Sequence, residues 1–126
     1  MIYGTVNEFR EATVELVVLG HTGQSERLEF VVDTGFDGSL SMHSSIAAAL
    51  EPPTVAKEQG VLADGSTIVY DVCEAFIQWN GEMRPVWIGV LKGMALLGMG
   101  LLHGHELRLE AVPEGDVQIT PLGPPL

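Results

Sequence analysis

Apolar residues in this chain alternate with polar ones more often than they recur at helical spacing, so the elements they predict are mostly strands. Tyr3 to Phe9 predicts a first strand. Thr13 to Leu19 carries Val and Leu on both faces, the pattern of a buried strand. His21-Thr22-Gly23-Gln24 predicts a turn, and Arg27 to Asp33 alternates with Leu28, Phe30 and Val32 on one face. Leu40-Ser41-Met42 predicts a short strand. Ser44 to Leu50 predicts the best helix: Ser44 or Ser45 can cap it, Ala47-Ala48-Ala49 favour it and Pro52-Pro53 stop it. Val61-Leu62 and Thr67 to Trp79 flank Ala63-Asp64-Gly65-Ser66, where Asp-Gly signals a hairpin. Asn80-Gly81 signals a second one, leading into Pro85 to Leu91. Met99 to Leu102 predicts one helical turn. Glu106 to Glu110 alternates with its leucines inward, and Pro113-Glu114-Gly115-Asp116 turns the chain into Val117 to Thr120. These elements make a mainly β chain with one or two short helices, for which a closed or folded-over β-barrel fits. Residues 1–120 read as a single domain and 121–126, with three prolines, as a loose tail.

Charge narrows the partners. Six Lys and Arg against 17 Asp and Glu give a net charge of −11, with no basic cluster, which argues against nucleic acid. Two such chains in a dimer would repel, so any surface joining them should be apolar. Cys73 is the only cysteine, so no intrachain disulfide forms, which suits a reducing, cytoplasmic location. Met1 to Glu8 lacks the basic start and apolar core of a signal peptide. Val86 to Leu102 is the one stretch with a transmembrane look. It contains Lys92 and four glycines and is short for a span of ~20 residues, so no membrane partner is expected.

The chemistry concentrates at Asp33-Thr34-Gly35, which closes the apolar run Phe30-Val31-Val32. A carboxylate at the end of a buried strand is costly to desolvate and usually sits there for chemistry or for a cap. A second apolar run, Ala95-Leu96-Leu97-Gly98, ends 63 positions after Gly35, with the Ala63–Ser66 hairpin between them. This combination resembles the retropepsin-like aspartic proteases, and Asp-Thr-Gly-Phe-Asp-Gly is similar to their bacterial and archaeal members. The resemblance covers roughly Glu29 to Glu110. It implies a closed β-barrel of the retropepsin-like acid protease type, one lobe per chain. The implied activity is an aspartic endopeptidase, a hydrolase of peptide or protein substrates that needs no metal or cofactor. Because such chemistry needs two carboxylates and this chain is one lobe long, the enzyme would be a homodimer with one Asp33 from each subunit.

The resemblance also assigns roles. Asp33 would be catalytic. Thr34 would hydrogen-bond across the two-fold axis, and Gly35 would let the backbone approach the carboxylates. Asp37 would contact substrate backbone. Ala63, Asp64, Gly65 and Ser66 would form a flap tip over the substrate, and Leu97 and Gly98 would brace the catalytic loop. Three positions depart from the retroviral pattern: Phe36 replaces a small residue, Met99 replaces an Arg, and Gly100 occupies a spot often filled by Asp or Asn. His103-Gly104-His105 is too small a donor set for a metal site. Cys73 reads as a buried structural thiol, and His21 and His43 as solvated. The competing expectations are a catalytically silent β-barrel that binds peptides or mediates assembly, and a membrane-associated accessory domain.

Overall fold

The computed structural model describes residues 1–50, 53–93 and 95–123. The chain runs β1 (Ile2–Val6), β2 (Ala12–Leu19), β3 (Ser25–Val32), β4 (Leu40–Met42), α1 (Ser44–Leu50), β5 (Thr54–Val61), β6 (Thr67–Trp79), β7 (Glu82–Val90), β8 (Leu96–Leu97), α2 (Met99–Leu102), β9 (His105–Leu109) and β10 (Asp116–Pro121). All ten strands join one sheet in the order β5-β6-β7-β4-β8-β3-β2-β1-β10-β9. The sheet curls back on itself where β2 also pairs β6, but only through Val18–Ile77 and Leu19–Phe76. The ring of pairings is therefore uneven, long where β6 meets β7 and short at β8 and at the β2–β6 contact. Inside it, Val14, Val18, Phe30, Leu40, Ile77, Ile88, Leu97 and Ile119 are almost wholly buried and form the core.

Local chemistry explains where the elements start and stop. The first strand ends at Val6, three residues before the expected Phe9. Asn7 Oδ1 there accepts the N–H groups of Phe9 and Glu11, and Arg10 takes φ 63°, which folds the chain into a turn. The cap of α1 is His43 rather than Ser44 or Ser45: its Nδ1 accepts the Ser45 N–H and its carbonyl accepts from Ile46 and Ala47. Asn80 and Gly81 take φ 53° and 80°, the left-handed pair that a two-residue hairpin needs. Leu109 is exposed and Leu107 only half-buried, because β9 is an edge strand that pairs β10 alone among the described residues. Pro121, expected in the tail, is the last residue of β10, and the Leu122 N–H donates to Gly104. Pro52 of the expected helix stop and the tail residues 124–126 lie outside the described residues. The stretch from Val86 to Leu102 is divided among β7, β8 and α2, and no described helix is long and apolar enough to cross a membrane.

Candidate active site

Phe30 is buried at the centre of the sheet, and the chain leaves β3 at Val32 directly into Asp33. The loop that follows is held by β8, which lies between β3 and β4, parallel to the first and antiparallel to the second. Backbone bonds stitch loop to brace along its length. Asp33 N–H donates to Leu97 (2.9 Å), Gly98 N–H to Ser39 (2.9 Å), Met99 N–H to Phe36 (2.7 Å) and Gly100 N–H to Gly38 (3.0 Å). Gly98 is required by space: a Cβ there would lie 2.3 Å from the Gly38 carbonyl oxygen and 2.5 Å from that of Phe36. Its φ of −109° is open to any residue. At Gly100 a Cβ would meet Gly38, Asp37 and Ser39 backbone at 2.9–3.0 Å, so the Asp or Asn usual at that spot in the retroviral pattern would not fit this loop as it stands.

Within the loop, Asp33 is half-buried and its Oδ1 accepts the Gly35 N–H at 2.8 Å, which fixes the carboxylate while Oδ2 makes no hydrogen bond among the described residues. A Cβ on Gly35 would stand 3.1 Å from that oxygen. Thr34 is exposed, and its hydroxyl has no hydrogen-bond partner among the described residues. Asp37 is exposed and lines a small hollow together with Glu58 and Tyr70 of the β5–β6 hairpin. The predicted flap tip forms as a hairpin turn: Leu62 N–H donates to Ser66, Gly65 N–H to Leu62, and Gly65 takes φ 86°. The Ser66 hydroxyl and N–H both donate to Asp64 Oδ1, and these bonds hold the Asp64 carboxyl below its ordinary pKa. No hydrogen bond joins Ala63–Ser66 to the Asp33 loop among the described residues. The structure thus brings Asp33, Thr34, Gly35 and Asp37 together with Leu97 and Gly98, with no hydrogen bond to the hairpin tip among the described residues.

Other candidates resolve differently. Trp79 Nε1–H donates to His105 Nε2 (3.2 Å), and His105 Nδ1 lies 3.0 Å from the His103 carbonyl, so both ring nitrogens are engaged in holding a turn. No group of three or more metal-ligating side chains occurs among the described residues. Cys73 is buried beside Thr54. Sequence reasoning missed Ser41, which is wholly buried and whose Oγ accepts the Leu96 N–H at 3.1 Å, tying β4 to the brace. A polar residue between Leu40 and Met42 was its only signal. A cavity of about 530 Å³ between the N-terminus and the Asn80 turn includes none of the loop residues.

The comparisons agree with this geometry at the level of fold. The structure is similar to the crystal structure of a retropepsin-like aspartic protease from Rickettsia conorii, with TM-score 0.62 over 97% of this chain and 91% of that one, at 16% identity. No family model and no curated protein matches the chain. The fold is therefore retropepsin-like and mainly β.

Proposed function

We propose that the protein is an aspartic endopeptidase of the bacterial and archaeal retropepsin-like type, active as a homodimer that unites two Asp33 carboxylates. The observation that carries this reading is the Asp33 loop itself. A carboxylate with one oxygen fixed and one free stands at a strand end, braced by a glycine that admits no side chain. One chain supplies one such carboxylate. Two in contact share a proton, so the ionised one draws a proton from a water between them and the other polarises the scissile carbonyl. The roles exchange between identical subunits, and the proton passes finally to the leaving amine.

The surface next to Asp33 supports association. A hollow there has an apolar part formed by Ala12, Val32, Leu109, Val112 and Pro113 and a polar rim of Asn7, Glu8 and Arg10, and Val112 is 56% exposed. Phe9, on the neighbouring turn, is 72% exposed. A chain of charge −11 needs apolar contact of this kind to self-associate. Thr34→Ala then probes the axis. Each lost cross-axis hydrogen bond is worth ~1 kcal/mol and the loop occurs twice, so the dimer dissociation constant should rise on the order of 30-fold. Sedimentation of both proteins measures it. Loss of monomer melting temperature with an unchanged dissociation constant would contradict a cross-axis role.

The test of the proposed activity is peptide cleavage against pH with EDTA present. With both carboxylates protonated no base remains; with both ionised no acid remains and the charges repel. The profile of kcat/KM should be a bell. The hairpin tip should add to the acid limb only below the ordinary carboxylate pKa. Asp64's pKa is lowered by its Ser66 hydrogen bonds, so the stability it contributes is full above the ordinary carboxylate value and is lost as pH falls from there through the lowered value. A single-limbed profile, or activity removed by EDTA and restored by zinc, rules out a metal-free carboxylate pair.

A further inference from the structure

We infer that the hollow between the Asp33 loop and the β5–β6 hairpin is a specificity pocket for a cationic side chain, lysine or arginine, of the peptide. This inference rests on the protease reading above. The hollow has a volume of about 160 Å³. Drug-sized ligands occupy pockets of ~300–1,000 Å³, so this one suits a single side chain. Asp37 and Phe36 enter it from the loop, Glu58 and Tyr70 from the hairpin strands, and Trp87 from β7. Glu58 and Tyr70 are direct cross-strand partners. The Tyr70 ring lies across Gly60 and Gly89, where an added Cβ would come within 3.2 and 3.1 Å of it, so these glycines seat the aromatic wall.

Two independent features point to a cation. The first is uncompensated charge: Asp37 and Glu58 line the same small space, and no Lys, Arg or His approaches either within 4.0 Å among the described residues. Lys57, the nearest base in sequence to Glu58, is committed to Asp71 across the strand pair. Burial first, then the charges of Glu58 and Asp37, hold the Tyr70 hydroxyl above its ordinary pKa. The second feature is aromatic. Phe36, Tyr70 and Trp87 line the same hollow, and Trp87 is 55% exposed, leaving indole surface open to an incoming group. Aromatic faces attract ammonium and guanidinium groups within ~6 Å of the ring centroid. An aliphatic substrate side chain would desolvate both carboxylates and return nothing, whereas a basic one meets charge and ring together.

The experiment has two arms. Asp33→Asn protein, which binds without cutting, is titrated with blocked alanine-based hexapeptides that carry either one arginine or its neutral isostere citrulline. Binding is followed by calorimetry and by the change in tryptophan emission, to which Trp79 also contributes. The arginine peptide should bind about tenfold tighter or more, and Glu58→Gln, an exposed and shape-preserving change, should reduce that preference to about threefold or less. Equal binding of the two peptides, or a preference that neither Glu58→Gln nor Asp37→Asn moves, overturns the pocket. In the second arm, wild-type protein digests a mixed peptide pool and the cut sites are read by mass spectrometry. Lys and Arg should be enriched at one fixed position relative to the cut. Cleavage without that enrichment overturns the pocket alone. An arginine preference in binding with no cleavage overturns the protease reading alone.

Discussion

Asp33→Asn is expected to abolish peptide hydrolysis while the fold and the dimer persist. The amide keeps the shape of the carboxylate, and its oxygen still accepts the Gly35 N–H that now holds Oδ1 at 2.8 Å. It cannot take a proton from water. Loss of one general base typically costs 10²–10⁴-fold, and the substitution removes both carboxylates of the dimer at once, so activity should fall by more than that range. Melting temperature and sedimentation serve as the controls. Hydrolysis near the wild-type rate would remove Asp33 from the chemistry altogether.

Gly98→Ala should damage both stability and activity. The new methyl would stand 2.3 and 2.5 Å from two backbone oxygens, and backbone yields less readily than a side-chain tip. Overpacking of this kind costs ~1–3 kcal/mol and sometimes more. For a domain of this size that corresponds to a fall of several degrees in melting temperature. Whatever relief the chain finds must push the Phe36–Gly38 backbone off the brace and carry Asp33 with it. Gly123→Ala, where a Cβ meets nothing within 4 Å, is the matched control and should leave both readouts unchanged. If Gly98→Ala behaves like that control, the loop does not rest on the brace as described.

Much of this architecture was legible from periodicity, because buried strands declare themselves by alternation. Arg27 to Asp33 anticipated β3, Thr67 to Trp79 matches β6, and Ser44 to Leu50 matches α1. The rest failed for identifiable reasons. β5 is exposed at most of its positions, so Thr54 to Gly60 carries no apolar rhythm, and only its last residue, Val61, was expected. Leu109 was expected inward because alternation reports a face and is blind to whether anything covers it. The cap of α1 went to a histidine since a ring nitrogen can replace a hydroxyl as acceptor. At the site, the triplet and the brace glycine were visible as motifs, whereas Ser41, Glu58, Tyr70 and Trp87 act only through neighbours far away in sequence. No local pattern marks a residue whose role is set by distant packing.

The brace also sets a clock on synthesis. Leu97 and Gly98 emerge 62 and 63 residues after Gly35 of the triplet they hold, and β1, paired locally with β2, gains its other neighbour only when β10 is made. Contacts this distant form late, after loop closure over most of the chain. A nascent chain therefore carries its acidic triplet unbraced and alone, and the proposed chemistry further requires a second finished copy. Such an enzyme would be silent on the ribosome, its timing written into the order in which the strands are made.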